Sequence, residues 1–450
     1  MTALAVARTK GFVPMALPVS SLIVAATAAL VCGVLLFYKP LTASPAWRAT
    51  VTPLASIMGS GFLVCVPLLY ANIGNYSVLA MAVLLGLAYA VGSVIRFNIR
   101  YGEPLFQKQN PPDVFERIEH RLHIAHRDAA HRIKIGEAAD LLEKISHVAL
   151  SGAYCISVSY YLQLLASFAL QPLNLHTAWI AKSLVTLILA GIAIIGFTRG
   201  LKGIERVERI VVGVNLAMIA ALVAGLAHFN AVSAMDGSWH LRHLGVSGDK
   251  LHVVRLLMGM LIVVQGFETS RFLGSEHSQG ERIRTMRWAQ LISTVIYLVF
   301  IGLMAAVIGN TQGDLQSGIT AIVALSAVVA PILPALLTIT AIGSQFSAAT
   351  ADDAGCSGLL EAIFKRWMPA RYAYVVVSAL SISITWMTDV YQIISYASRA
   401  FALFYVLQCV VALLVMRKVS DVPARRAKTG LYAGLALICL LITLFGIPAG

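Results

Sequence analysis

Two short polar interruptions inside long apolar runs carry the residue types best suited to binding a small ligand. The first is the triplet Gly59, Ser60 and Gly61, in the middle of the apolar run 51–71. Glycine in a helix interior is unfavourable by about 1 kcal/mol relative to alanine, so the helix is weak at this point. Unwound backbone inside a membrane is tolerated only where protein buries it or water reaches it. The triplet is therefore either a close-packing notch or a break that offers N–H and C=O groups to a ligand.

The second interruption runs from Gln265 to Arg271, within the apolar run 252–274, and contains Gly266 and Glu268. Paired interruptions in corresponding spans of two halves indicate the binding site of a transporter. A charged side chain in hydrocarbon is costly and suggests a function, so Glu268 is the strongest single candidate. The alternative is that Glu268 and Arg271, three residues apart on one helix, neutralise each other.

Composition sets the class of protein. The chain has 450 residues, of which 58% are hydrophobic and 12% are charged, and its mean hydropathy is +0.80. These values are typical of a polytopic membrane protein. The six cysteines have neither metal-binding nor disulfide-framework spacing. Neither a phosphate-binding glycine loop nor a nucleophile motif is found, so we predict no enzyme activity, no cofactor and no metal.

Apolar runs of spanning length predict an all-α fold with about 12 transmembrane helices. The predicted spans are 16–38, 51–71, 75–97, 146–170, 177–198, 206–228, 252–274, 288–309, 331–352, 372–388, 391–416 and 430–447. A shorter apolar run, 318–329, predicts a helix that lies in an outer loop.

The net charge of +13 follows from the loops. Most lysines and arginines fall on one side of the predicted membrane, in loops 39–49, 96–145, 199–209, 271–287, 354–372 and 417–428. The positive-inside rule makes that side cytoplasmic, which fits a multi-pass protein of the plasma membrane, the inner membrane of a bacterium. Both termini are external if 16–38 crosses fully, and the N-terminus is cytoplasmic if that run is re-entrant. The positive charge then reflects topology, and we predict no nucleic-acid partner. Loop 101–145 contains His120, His123 and His126, which we interpret as the solvated face of an amphipathic helix instead of a metal site.

Other polar residues inside the spans are candidates for gating. Asp352 and Asp353 end one predicted span, and we predict that Arg271 pairs with one of them at the inner mouth when the site faces outward. Asp389 and Arg399 are predicted to act nearer the outside.

Three sequence segments resemble the amino acid–polyamine–organocation (APC) superfamily of transporters. Ile57-Met-Gly-Ser-Gly-Phe-Leu-Val64 resembles its first core helix, and Val264-Gln-Gly-Phe-Glu-Thr-Ser270 resembles its sixth. Thr198-Arg-Gly-Leu-Lys-Gly-Ile-Glu-Arg-Val207 is similar to the basic turn before its fifth. The resemblance covers about residues 50–450.

The resemblance implies a LeuT-type fold, with inverted five-helix repeats, one extra N-terminal helix and one C-terminal helix. The implied units are the N-terminal helix and loop 1–49, the first repeat 50–228, the outer loop 229–250, the second repeat 251–417 and the C-terminal helix 418–450.

The implied function is a secondary active transporter, or permease, that moves amino acids or related amines by alternating access, with proton coupling or exchange. Backbone N–H groups at the first break would bind a carboxylate, and free carbonyls at both breaks would accept from an amine. The implied substrate-binding residues are Ser56, Ile57, Gly59, Ser60, Gly61, Val264, Gln265, Gly266, Phe267, Glu268, Thr269, Tyr154 and Tyr160. Two alternatives stay open: a non-transporting membrane sensor or assembly subunit, and an ion (potassium) transporter of the superfamily.

Coupling has several candidate residues. The partners implied are a small-molecule substrate, H⁺ or Na⁺, and membrane lipid. Ser344 and Ser347 match the helix whose hydroxyls hold sodium in sodium-coupled members, although such hydroxyls also bond to the carbonyl one turn back. Asn215 stands about where some proton-coupled members have a lysine. Glu268 is the alternative proton carrier, because burial in hydrocarbon favours the neutral carboxyl.

Overall fold

The computed structural model describes residues 18–59, 61–107, 127–175, 177–199, 204–246, 249–273, 277–310, 321–364, 370–419 and 421–448. Over these ranges the secondary structure is helical, with turns and short irregular connections and with no strand. This agrees with the predicted all-α class.

The principal helices of the described ranges are numbered here in chain order. They are α1 (Val19–Phe37), α2 (Pro45–Gly59), α3 (Phe62–Ile73), α4 (Ser77–Phe97), α5 (Arg127–Leu170), α6 (Ala178–Arg199), α7 (Ile204–Met235), α8 (Lys250–Gly259), α9 (Gln279–Asn310), α10 (Ala321–Val329), α11 (Leu333–Ile363), α12 (Ala370–Met387), α13 (Val390–Lys418) and α14 (Arg425–Phe445). Short helices at Lys39–Thr42 and Glu103–Gln107 and a π-helical turn at Asn98–Gly102 join some of them.

Both predicted interruptions are present. The first separates α2, which ends at Gly59, from α3, which begins at Phe62. Ser60 lies outside the described residues. The second is longer than the sequence predicts, because the α-helix already ends at Gly259 and two 3₁₀ segments, Leu261–Val264 and Phe267–Phe272, replace it. Gly266 between them has φ +115°, in the left-handed region that glycine adopts without a steric penalty.

Eight segments of the described chain are long and apolar enough to cross a membrane. One of them, Pro45–Phe106, contains two of the predicted spans. The predicted span 252–274 is not among the eight, since its α-helix is broken. The total of twelve spans stays a prediction.

One predicted boundary needs correction. The predicted span 146–170 is the second half of α5, which begins at Arg127 and so extends through part of the predicted loop 101–145. His120, His123 and His126 lie outside the described residues. The predicted outer helix 318–329 is found as α10.

The helices pack as two groups. In the first group, α5 packs against α11, α12 and α13, and α6 packs against α12 and α5. In the second group, α9 packs against α2 and α4, and the segment Phe267–Phe272 packs against α2 and α9. The helix α13 borders both groups, because it also contacts α4 and the segment Leu261–Val264. The broken helices therefore belong mainly to the second group.

Candidate functional site

The two breaks lie directly against each other. A Cβ atom at Gly266 would be 2.6 Å from Ser56 Oγ and 2.7 Å from the backbone nitrogen of Ile57. A Cβ atom at Gly61 would be 3.1 Å from Val263 Cγ2. Real Cβ atoms do not come within 2.7 Å of a backbone nitrogen. Gly266 is therefore required by this contact as well as by its backbone conformation.

Side chains from α9 and α11 bond to backbone groups that have no partner within the broken helices. The hydroxyl of Tyr297, on α9, lies 3.1 Å from the carbonyl oxygen of Ile57 and 2.7 Å from that of Val263. Gln345 Nε2, on α11, donates to the carbonyl of Gly59 over 3.1 Å. Buried backbone groups need such partners in a membrane. The carbonyl of Ile57, predicted to accept from a substrate amine, is thus bonded inside the protein in this conformation.

The α13 helix fixes the beginning of the second break. Ser398 Oγ accepts from the backbone nitrogen of Ile262 over 2.8 Å and donates to the carbonyl of Gly259 over 2.7 Å. This hydroxyl substitutes for hydrogen bonds that a continuous helix would make. It explains why the α-helix ends earlier than its glycine pattern predicts.

Glu268 is fully buried beside the contact between the breaks. Its Oε2 atom accepts hydrogen bonds from the backbone nitrogen of Gly266 and from the hydroxyl of Tyr405, each over 3.0 Å. Its Oε1 atom has no hydrogen-bond partner among the residues that the structure describes. Phe267 stacks on Tyr405, with ring centroids 5.5 Å apart. The carboxyl group is therefore held by one oxygen, while the other is left for a proton or a ligand.

The predicted tyrosines differ in position. Tyr160 is buried, and its hydroxyl lies 3.4 Å from the Cβ position of Gly61. Within the described ranges this hydroxyl has no hydrogen-bond partner. Tyr154 instead packs edge-on against Phe401, with centroids 5.9 Å apart. Tyr160 thus lies at the first break, whereas Tyr154 has the contacts of a packing residue.

A narrow cleft runs beside the break-to-break contact. It contains about 380 Å³ of empty space, part of it open to solvent. Five of the predicted site residues line it: Ser56, Asn215, Thr269, Ser344 and Ser347. Asn215 Nδ2 donates to Ser344 Oγ over 3.1 Å. The structure thus brings the coupling candidates on α7 and α11 together with one residue from each broken helix.

The predicted gating pairs are not formed in this conformation. Among the described residues, Arg271 forms no ion pair with Asp352, Asp353 or Glu268. Its side chain extends from the segment 267–272 towards α5 and α13, where its Nη2 atom lies 2.5 Å from Glu143 Oε1. Asp352 accepts a hydrogen bond from Ser157 Oγ. Asp353 is fully buried, and neither carboxylate oxygen has a hydrogen-bond partner among the described residues.

The outer gating candidates have local partners. Asp389 Oδ1 accepts from the backbone nitrogens of Tyr391 and Gln392, each over 2.9 Å, and so caps the N-terminus of α13. Arg399 Nε donates to the carbonyl of Thr443, on α14, over 2.7 Å. Their roles in gating stay predictions.

Sequence reasoning missed residues that bond to the breaks, to Glu268 and to Arg271. Tyr297 and Tyr405 lie in apolar runs, where an aromatic residue has no distinguishing pattern. Glu143 precedes a predicted span and was not separated from the other loop charges. Gln408 lies in the middle of the apolar run 391–416 and is the one of these with a usable signal, because a buried amide in hydrocarbon needs partners.

The fold and the paired breaks agree with a match to a known family. A family model described as an APC superfamily transporter matches residues 39–125 and 117–446. The chain belongs to the APC superfamily of transporters. The resemblance drawn from the glycine triplet and the second break is thereby confirmed at the level of the superfamily.

This APC superfamily transporter is similar to two further proteins. A protein of Aquifex aeolicus (strain VF5), described as uncharacterized, is 34% identical over 405 residues, which are 89% of this chain and 90% of the relative. A solved structure of a Na⁺-coupled sialic acid symporter in a substrate-bound, outward-open state is 12% identical, with a TM-score of 0.49. The alignment covers 96% of this chain and 98% of the symporter.

Proposed function

We propose that this APC superfamily transporter is a secondary active transporter that moves amino acids or related amines across the cytoplasmic membrane of a bacterium by alternating access. The observation that carries the proposal is Glu268, buried where the two broken helices touch and bonded through only one carboxylate oxygen. A LeuT-like pair of inverted repeats is part of the proposal, since each break would belong to the first helix of one repeat.

The two ends of a zwitterion fit the two breaks. A substrate ammonium would bond to Glu268 Oε1, which supplies negative charge where hydrocarbon supplies none. A substrate carboxylate would lie at the N-terminus of α3, where the first N–H groups have no partner within the helix. Tyr160 would donate its hydroxyl nearby. Because Gly61 and Val263 are in close contact in this conformation, substrate entry requires the breaks to separate.

Glu268 also supports proton coupling or exchange. An ionised carboxylate without a cation is strongly disfavoured in the membrane interior, so an empty site would hold a proton on Glu268. A substrate ammonium would replace the need for that proton. The proton would be released to the side from which the substrate binds, so substrate and proton would cross the membrane in opposite directions. Substrate-for-substrate exchange would require no net proton transfer.

Sodium coupling is the second candidate, and the cleft beside the breaks favours it. Oxygen ligands suit hard cations. Ser344 and Ser347 on α11 share this cleft with Ser56 and Thr269. Under this alternative, sodium would stabilise the purified protein against heat, and Ser344→Ala would reduce that stabilisation.

Purified protein in liposomes separates these possibilities. A thermal-shift screen against amino acids, polyamines and nucleobases identifies a ligand first. Uptake of that ligand is then measured with a proton gradient in each direction, with a sodium gradient, and as counterflow without either. Binding without any uptake or counterflow would contradict the transporter proposal and favour the sensor alternative. Potassium flux without any amine requirement would favour the ion-transporter alternative.

Glu268→Gln tests the coupling residue. The variant should lose accumulation driven by the proton gradient, because glutamine imitates the protonated carboxyl. It should also bind substrate more weakly, because it lacks the charge that pairs with the ammonium. Tyr405→Phe is the matched control, since it removes one hydrogen bond to Glu268 and keeps the carboxyl. Full dependence on the proton gradient in Glu268→Gln would show that Glu268 does not carry the proton.

A further inference from the structure

A buried polar network surrounds Glu143, a residue that none of the functions above uses. Glu143 and Arg271 are each 6% exposed. Glu143 Oε1 lies 2.5 Å from Arg271 Nη2 and 3.0 Å from His147 Nε2. Gln408 Nε2 donates to Glu143 Oε2 over 3.1 Å. Both carboxylate oxygens are therefore bonded, and one of them is paired with a guanidinium.

Gln408, on α13, connects this ion pair to the end of α4 and to a second residue of α5. Its Oε1 atom accepts from Arg271 Nη1 and, over 2.8 Å, from Asn98 Nδ2 at the end of α4. Its Nε2 atom also lies 2.8 Å from Ser146 Oγ, on α5. The amide has both ends engaged, so it fixes α13 relative to α5, α4 and the segment 267–272. We call Glu143, Arg271 and Gln408 the inner network.

The backbone at Arg271 is held from the other side. Arg282 Nη1, at the beginning of α9, donates to the carbonyl of Arg271 over 2.7 Å. The same guanidinium binds both carboxylate oxygens of Glu103, over 3.0 and 2.6 Å. The backbone of Arg271 is thus bonded to α9, in the second packing group, while its side chain extends to α5, in the first.

The inner network joins the two packing groups at one end of the molecule. Glu143 is on α5, in the first group, whereas Arg271 is on the segment 267–272, which packs with α2 and α9 in the second. Along the chain, each of the three residues lies between the breaks or the apolar interior and a loop rich in lysine and arginine. The positive-inside rule makes that end cytoplasmic.

We infer that Glu143 and Gln408 are the inner-gate partners of Arg271, and that their contacts must separate before the two packing groups can move apart on the cytoplasmic side. This inference rests on the proposed transport function. Alternating access in transporters moves one group of helices against another around a fixed site. A contact that joins the two groups on the cytoplasmic side must break when the site opens to the cytoplasm.

The position of the network makes such a break feasible. A buried ion pair that loses one partner is strongly unfavourable, but two charges that separate into water regain their hydration. The His147 side chain is 26% exposed, so water reaches the edge of the network. The network therefore suits a contact that opens as a unit, with both charges becoming hydrated.

Hydrogen–deuterium exchange on purified protein without substrate tests the inference. The variants are Glu143→Gln, Arg271→Gln and the double variant. Loss of the network should speed exchange in the peptide 261–272 by about tenfold or more, because local opening becomes easier. Exchange in α14, residues 425–445, should rise much less and serves as the internal reference for any general loss of stability.

Asp140→Asn is the matched control. Asp140 lies one turn before Glu143 on the same helix, and it pairs with the exposed Lys144 over 2.6 Å. We expect this variant to leave exchange in 261–272 as it is in the wild type. If a single variant does not fold, the double variant, which leaves no unpaired charge, is the form to measure.

Three outcomes would overturn the inference. The first is unchanged exchange in 261–272 for every folded variant of the inner network. The second is an increase in α14 as large as the increase in 261–272, which would indicate general destabilisation alone. The third is faster exchange in 261–272 for Asp353→Asn but not for Glu143→Gln, which would return the pairing of Arg271 to Asp353. None of these measurements depends on substrate or uptake. A failure of this inference can therefore be distinguished from a failure of the proposed transport function.

Discussion

Glu143 and Glu268 are buried glutamates of the same helical bundle, but their surroundings differ. Glu143 has partners on both carboxylate oxygens, including a guanidinium. Glu268 has two neutral donors on one oxygen and none on the other within the described structure. The first environment compensates a negative charge, and the second does not. Burial alone therefore does not assign a role to an intramembrane carboxylate, whereas its set of donors does.

The comparison separates a carboxylate whose charge is compensated from one whose charge is not. A compensated carboxylate such as Glu143 fixes helices and changes only when its partners move away. An uncompensated carboxylate such as Glu268 gains from a proton or a ligand cation. Asp353 resembles the second kind even more closely, since both of its oxygens lack a partner among the described residues.

The largest expected effect on stability comes from removing the guanidinium that pairs with Glu143. Arg271→Gln leaves a buried carboxylate without its guanidinium and should lower the free energy of unfolding by about 3–5 kcal/mol. Thermal or denaturant unfolding in detergent measures this loss. Arg284→Gln, at an exposed position of α9, is the control and should change stability by about 0.5 kcal/mol or less. A small loss for Arg271→Gln would show that the charge of Glu143 is compensated in another way.

The next effect concerns the glycine that donates to Glu268. In Gly266→Ala, the new Cβ meets the backbone nitrogen of Ile57 at 2.7 Å, and φ +115° is unfavourable for alanine. We expect the breaks to be pushed apart and stability to fall by about 1–3 kcal/mol. Gly280→Ala is the control, because its Cβ would enter open space. Equal stability of the two variants would mean that the contact between the breaks is not tightly packed.

A smaller effect should distinguish two neighbouring aspartates. Asp352→Asn changes a carboxylate that accepts from Ser157 and should lower stability by about 1–3 kcal/mol. Asp353→Asn alters no hydrogen bond described in the structure and removes an ionisable group from hydrocarbon, so it should be neutral or slightly stabilising. Parallel unfolding curves compare the two. A larger loss for Asp353→Asn would show that Asp353 has a stabilising partner.

The smallest effect belongs to a carboxylate at a helix end. Asp389→Ala removes the N-terminal cap of α13 and should cost about 1 kcal/mol of stability. Asp389→Asn keeps the acceptor oxygen and should lose much less. If both variants impair uptake to the same degree while stability is unchanged, Asp389 has a gating role beyond the cap.

The sequence by itself determined the class of protein and the positions of both breaks. Apolar runs of spanning length predict membrane helices, because every backbone group in hydrocarbon must be bonded within its own segment. Gly59, Gly61 and Gly266 lower the stability of a helix locally, whatever surrounds them, so their pattern marks the interruptions. The superfamily followed from the same residues.

Only the tertiary structure decided which side chains meet at these breaks. The sequence offered Asp352 and Asp353 to Arg271, since it records charge and approximate depth but not the direction in which a side chain points. The 3₁₀ geometry of 267–272 directs Arg271 to Glu143, which is 128 positions earlier in the chain. The same limit hid Tyr297 and Tyr405, whose hydroxyls acquire their roles only where helices distant in sequence pack together. Partners of buried polar groups are set by packing, and packing is a property of the whole fold.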